Sequence, residues 1–445
     1  MPIAHARRFG AAGRLRTGTA GYGMLGETAL RGLSALLGVA ATAVLARGLG
    51  PHDLGYYALW TLAVSTVSNI IEFSQRQPML RALAATNDMD LIAPYVVGRL
   101  KVCACLTVCL GVAVAFVGPH RLIPAGLIIV STLMCTSLSC VSVVLHANYR
   151  GDLVGAAIVV QSVQWLVLLG IATLIHAGIV GVACALWASS AINAVTVWIL
   201  SQRVSPFRMR WAKRKKRRSQ KSEDPRLLAV AGTAAMLAWK LDLPTCYGLL
   251  GPAPAGLYAA SYRVLDQMLI VPTSLASVFT PRLTRASAEI GSRIRSDRIV
   301  SASLLVVSGV ALVYWPLSPL VAHILFGHQY PGVSQLMRLL AGALPLVTLR
   351  YVLGSAFIVF RRTRAYLWCS LFYLVSSLAV TIILTLMFEL KGTAVATSLA
   401  ELAFVAAAVL DRTGRSTLAA YKLEVACCLG STSLAVVGAL MFGAK

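Results

Sequence analysis

Charge is what this sequence has least of. Only 13% of its 445 residues are Asp, Glu, Lys or Arg, where a soluble domain carries about a quarter. Acids are the scarcer sign, 16 against 40 lysines and arginines. With 58% hydrophobic residues and a mean hydropathy of +0.76, the chain does not read as a soluble globular protein. Period-two alternation of polar and apolar residues is also missing, which argues against an outer-membrane barrel. The ten cysteines lack metal-ligand spacing. Most lie inside apolar runs (Cys103, Cys105, Cys109, Cys135, Cys140) and read as small apolar residues, not as a disulfide or metal set. Catalytic signatures are absent: there is no glycine-rich phosphate loop after a strand, no His-Glu-x-x-His, no Gly-x-Ser-x-Gly and no aspartate-rich nucleotide-sugar motif. The chain is expected not to be an enzyme and to hold no cofactor.

What remains is a succession of apolar runs of about 20 residues, the length of a transmembrane helix. They predict an all-α integral membrane protein. Helices are expected near 24–46, 54–74, 97–118, 121–146, 153–176 and 178–200, then near 227–250, 256–280, 299–320, 333–360, 365–388 and 391–411. A thirteenth is expected near 422–443. The net charge of +24 invites a nucleic-acid reading, but its distribution answers differently. One alternate set of loops holds 31 of the 40 basic residues and the other set four, with five inside spans. That asymmetry is the positive-inside rule. It predicts a cytoplasmic N-terminus, no nucleic-acid partner, and a basic tail over 1–23 (Arg7, Arg8, Arg14, Arg16) that is kept and not removed as a transit peptide. The longest loop on the other side, near 321–332, is too short for a catalytic domain.

Two loops on that outer side repeat. Residues 49–58 and 250–259 share Leu, Gly, Pro, Gly, Tyr and Ala at matched positions. A fainter echo pairs Tyr149-Arg150 with Arg361-Arg362. The chain therefore reads as two six-helix lobes, 24–200 and 227–411, in parallel repeat about an axis along the membrane normal. A basic cytoplasmic linker, 201–226, joins them, and 412–445 supplies an extra span. The linker run at 213–218 reads as a solvated orientation signal or as a site for anionic lipid headgroups.

Ionisable residues inside spans are the candidate site, because a mid-bilayer charge costs about 2.5–3.5 kcal/mol on insertion scales. Glu27 and Arg31 share a face of the first helix, continued by Ser34, Gly38 and Thr42. A local ion pair and a cavity lining are both open there. On the eighth helix Arg263 and Asp266 stand three apart, with Thr273 and Ser277 beyond, and a cavity lining is favoured. On the seventh, Lys240 points with Thr233, Pro244 and Tyr247. Asp242 points nearly opposite, so the two do not form a simple pair. Lys240 is a candidate anion ligand and Asp242 a candidate carrier of H+ or Na+. Pro244 predicts a bend. Arg338 can snorkel. Arg350 lies deeper, and Glu401, aligned with Thr393 and Thr397, is either an ion-coupling carboxylate or the partner of Arg350.

The segment Ala46-Arg47-Gly48-Leu49-Gly50-Pro51-His52-Asp53-Leu54-Gly55-Tyr56-Tyr57-Ala58 resembles the opening of bacterial polysaccharide flippases. These are the O-antigen and exopolysaccharide translocases of the multidrug/oligosaccharidyl-lipid/polysaccharide exporter superfamily. The likeness spans about 24–411. It implies two bundles about a central cavity, alternating access, and a polyprenyl-diphosphate-linked oligosaccharide as cargo. It also implies an inner-membrane setting beside a polysaccharide polymerase and glycosyltransferases. Cations on the first and eighth helices meet the diphosphate in related flippases, and here those helices carry Arg31 and Arg263. Lys240, Arg350, Glu27 and Asp266 join the candidate substrate site on the burial argument alone. Competing readings are a drug/cation antiporter of the same superfamily, disfavoured by five basic residues in spans; a glycan polymerase or ligase, disfavoured by the short outer loops; and a peptidoglycan-precursor flippase, which usually has fourteen helices.

Overall fold

The structure, a computed structural model, describes residues 3–86, 89–117, 119–148, 150–206, 225–269 and 298–442. Among these, every apolar run is helical and none is in a strand, as hydrocarbon demands of a backbone that has no water to bond. Nine helices are long and apolar enough to cross a membrane, or ten when one bent pair counts as a span. Two of the nine are fused pairs, broken at Gly50 and at Glu389. With Pro252–Met268, the described helices match the thirteen expected.

In chain order, α1 (3–49) and α2 (51–86) flank Gly50. The helix is continuous from Ile3, so it takes in most of the basic segment assigned above to a tail. Next come α3 (Ile92–Val117), α4 (Ile123–Leu138, extended by Ser142–Ala147), α5 (Gly151–Leu174) and α6 (Gly178–Val204). Then follow α7, in two pieces (Pro225–Lys240 and Asp242–Leu250), α8 (Pro252–Met268) and α9 (Arg298–Phe326). α10 is also in two pieces (Val333–Ala341, Ala343–Val359). α11 (363–388) and α12 (390–410) meet at Glu389. A short amphipathic helix, Arg412–Ala420, leads to α13 (Lys422–Phe442). The 213–218 run, Thr273 and Ser277 fall outside the described residues. Large apolar side chains face outward along the spans, Phe116 at 86% and Leu174 at 80% exposure, as suits a lipid-facing surface and not a wet one.

The duplication seen in sequence is repeated in backbone geometry. Gly50 has φ 71, ψ 171 and Gly251 has φ 92, ψ −176, a region open almost only to glycine. The fainter echo is as close. Arg150 has φ −99, ψ 52 and Arg362 φ −95, ψ 47, and each donates its backbone N–H to a carbonyl five residues back, Leu145 or Phe357, at 2.9 Å. His176 and Glu389 both take φ 51 at the next turn. The two halves thus share backbone dihedrals at two helix breaks and a positive φ at a third.

Two compact units form: Met1–Ala41 with Ala63–Arg218, and Thr42–Leu62 with Ser219–Lys445. The sequence boundary between lobes leaves 42–62 in the first half, whereas packing groups that stretch with the second. In the first unit Ile92, Val96, Val141, Val144 and Leu83 form a core, and Ser34 Oγ lies 2.7 Å from Ser162 Oγ of α5. In the second, Tyr258, Leu265, Leu339, Leu340 and Val347 pack between α8 and α10. α13 is docked firmly there: Trp315 Nε1 donates to the Ala435 carbonyl at 3.2 Å and Thr432 Oγ1 to the Gly342 carbonyl at 2.8 Å.

Within the second unit the two glycine-proline loops interlock. A Cβ placed on Gly256 would run into the Pro51 carbonyl, and one on Gly55 into the Pro252 carbonyl. The contact is reciprocal, each copy of the motif seating its glycine on the proline of the other. The Tyr330 hydroxyl donates to the Ala46 carbonyl at 2.8 Å and Arg47 donates to the Ile324 carbonyl, so the loop after α9 braces the end of α1.

Candidate functional site

Pro244 explains the local shape of α7. It lacks the N–H that would donate to the Lys240 carbonyl, and its ring crowds that carbonyl. The helix bends by 40° at Leu241 and resumes with Thr245 N–H donating to the Leu241 carbonyl at 3.1 Å. Lys240 therefore ends one piece and Asp242 begins the next. Asp242 is 4% exposed and accepts from the Leu243 N–H at 2.8 Å, the Thr397 hydroxyl at 3.3 Å and the Tyr258 hydroxyl. Its position at a helix N-terminus favours negative charge.

Lys240 does not pair with Asp242, as its face predicts. Its Nζ instead donates to both carboxylate oxygens of Asp266 at 3.0 Å. It also sits 4.7 Å above the Tyr262 ring, whose hydroxyl donates to the Trp239 carbonyl at 3.0 Å. This pair is half-open, with side-chain exposures of 20% and 34%.

Arg263, one turn from Asp266 on α8, is not that carboxylate's partner. Its guanidinium lies 5.0 Å over the ring of Tyr57, a cation–π contact. Among the described residues no carboxylate stands within ion-pair distance of it. The fork of the guanidinium thus keeps its donors unneutralised by acid.

Arg350 and Glu401 pair with each other. Arg350 Nε donates to Glu401 at 2.8 Å and the Tyr373 hydroxyl donates to the other carboxylate oxygen at 2.6 Å. Exposures of 11% and 0% show a sealed pair, and Arg350 is further enclosed by the rings of Tyr351, Tyr373 and Trp239 at 5.2–5.8 Å. Glu401 is therefore not a lone carboxylate, and Arg350 is not an open anion ligand: two tyrosines and a tryptophan close the space a ligand would need. Arg338 does not simply snorkel. It stacks 5.1 Å from Trp315 and donates to Ser318 at 3.1 Å.

Arg31 is exposed on α1 in the first unit. Glu27 lies on the same helix, but its side chain is outside the described residues. Ser34 of the same stripe is bonded to α5, and Thr42 is buried. Lys240 and Asp266 are thus brought together in the second unit; Asp242 lies two residues from Lys240 against Tyr258 and Thr397, Arg263 one turn from Asp266 against Tyr57, and Arg350 with Glu401 beside Trp239. Sequence reasoning missed the aromatic shell. Tyr57 and Tyr258 are the matched tyrosines of the duplicated loop, so a signal existed: one ring carries Arg263 and the other hydroxyl holds Asp242. Nothing in the spacing of Tyr373 or Tyr262 announced their roles.

No protein-family profile matches the chain, and no curated protein does. Among solved structures it is similar to the lipid II flippase MurJ in an inward closed conformation, with TM-score 0.62, 11% identity, and 92% of this chain and 90% of that one covered. It is similar to an outward-facing multidrug resistance MATE family transporter of the MOP superfamily, at 0.63 and 11%, covering 92% and 96%. The fold is that of the MurJ and MATE transporters. A third structure of this architecture is a MOP-superfamily transporter from Pyrococcus furiosus, at 0.61 and 12%, covering 90% and 96%. That protein is described as having a binding pocket of reverse polarity suggesting a different function. The shared architecture thus leaves the cargo to the side chains that line each protein.

Proposed function

We propose that this multi-pass membrane protein carries a polyprenyl-diphosphate-linked oligosaccharide across the bacterial inner membrane by alternating access, for surface polysaccharide export. Its N-terminus is cytoplasmic, and a polysaccharide polymerase and glycosyltransferases act beside it. Arg263 carries this reading. An arginine that lies on a tyrosine ring, with no carboxylate within ion-pair distance among the described residues, is a demand for an anion. Its fork matches two oxygens of a diphosphate and stays protonated. The stack on Tyr57 fixes it without neutralising it. A lipid-linked glycan has an anionic, polar head that hydrocarbon rejects and a tail that hydrocarbon accepts, so a protein need shelter only the head. Arg31 is the matching cation of the first lobe in this scheme. Asp242 is the residue that would take a proton or Na+.

Asp242 also favours a second reading, a cation exporter. Lys240 and Arg350 are already neutralised by Asp266 and Glu401, which weakens the case from basic residues alone. Asp242 has no basic partner within ion-pair distance among the described residues.

The two readings separate in one experiment. The full chain is purified in detergent and titrated with a short-chain polyprenyl diphosphate, the corresponding monophosphate and a cationic dye, by native mass spectrometry. Arg263→Ala is expected to weaken diphosphate binding about 10- to 100-fold, the equivalent of about 1.5–3 kcal/mol for a charge-assisted bond. Arg263→Lys restores part of it. Dye binding that survives Arg263→Ala and is lost in Asp242→Asn, with no diphosphate binding by the parent, establishes the exporter instead.

A further inference from the structure

We propose that Asp266 is a built-in stand-in for the cargo's phosphate: it occupies Lys240 in the empty site and yields it when the diphosphate arrives. The inference rests on the reading of Arg263 as an anion ligand and assigns Lys240 and Asp266 distinct, opposed parts in that site.

Four observations carry it. Asp266 presents both oxygens to Nζ at equal 3.0 Å distances, which is how a phosphate would present two of its own. The pair is half-open, at 20% and 34% exposure, where the Arg350–Glu401 pair of the same unit is sealed at 11% and 0%. Glu401 has a second donor in Tyr373, whereas Asp266 has no donor but Lys240 among the described residues. Among the described residues nothing else therefore holds its carboxylate in place once the lysine turns away. Finally, Lys240 is the last residue before the 40° break of α7, and it rides on the face of Tyr262, a surface over which a cation can shift without losing the ring.

Arg263 and Asp266 share one turn of α8. An incoming diphosphate held by Arg263 sits a turn from the carboxylate, and like charges at that spacing repel. The anion that gains Lys240 must displace Asp266, so a diphosphate, with one charged phosphate for Arg263 and a second for Lys240, competes better than a monophosphate, which has one. The carboxylate acts as a selectivity filter: it sets the charge a ligand needs before the lysine is released, and it keeps an empty site from holding stray small anions.

The test is a titration of the purified full chain with a short-chain polyprenyl diphosphate and with the monophosphate. Asp266→Asn is expected to tighten monophosphate binding about tenfold and diphosphate binding less, so the preference between them narrows. Asp266→Glu retains the parental preference. In a Lys240→Gln background Asp266→Asn relieves only the repulsion felt at Arg263 and no longer narrows the preference, because the group being released is gone. Folding of each variant is checked by its melting midpoint. If the parent binds diphosphate through Arg263 but Asp266→Asn leaves the preference unaltered or weakens both ligands, the stand-in role is wrong and the pair is structural. If no variant binds either phosphate, the anion reading of the site fails first.

Discussion

Gly256→Ala is expected to abolish transport and to lower the melting midpoint of the purified protein. The added methyl meets the Pro51 carbonyl, and Gly55→Ala meets the Pro252 carbonyl in the same way. Backbone carbonyls cannot swing aside as a side-chain tip can, so the two loops must separate. Overpacking of this kind costs about 1–3 kcal/mol, and more where the obstructing atom is fixed. Because the contact is reciprocal, the two substitutions should act alike, and the double variant should add little to either, since one methyl already parts the loops. Gly430→Ala is the control: a Cβ there meets nothing within 4 Å, and alanine is the better helix former. Thermal melts of the parent and the four variants, with lipid flipping in proteoliposomes, check this. Parental stability and transport in Gly256→Ala would show that the two copies of the motif do not need to touch.

Arg350→Met should be the most destabilising single change in the second unit's interior. It leaves Glu401, at 0% exposure, as a buried charge with only Tyr373 among the described residues to bond it. Breaking one side of such a pair costs about 3–5 kcal/mol, while replacing both partners by apolar groups can be neutral. Glu401→Leu alone should be damaging for the mirror reason, and Arg350→Met with Glu401→Leu should recover most of the loss. A double-mutant cycle on melting free energies measures this. Were the pair instead a ligand site, Arg350→Met would leave stability unaltered and remove diphosphate binding. The same cycle with a binding titration therefore distinguishes scaffold from cargo contact.

Much of this molecule is legible before any coordinates. The apolar runs give the thirteen helices, because a backbone in hydrocarbon has no alternative to helical bonding. Pro244 foretells the bend at Leu241, since a missing N–H acts on the carbonyl four residues earlier. The paired Leu-Gly-Pro loops foretell the paired φ > 0 glycines, since few other residues enter that region. The opposed faces of Lys240 and Asp242 foretell that they do not bond. Spacing along one helix stops there. It puts Arg263 and Asp266 on a shared face but cannot say that Asp266 reaches for α7 while Arg263 lies on a tyrosine 206 positions earlier in the sequence.

A repeated, helical membrane protein with a few costly charges in its spans is already written in local composition and in backbone chemistry, which each segment satisfies alone. Which charges pair and which stand apart depends on how the helices pack. Ion pairing is a matter of distances near 3 Å between different helices, and those are fixed by where α7 bends, how α8 seats against it, and which ring fills the gap.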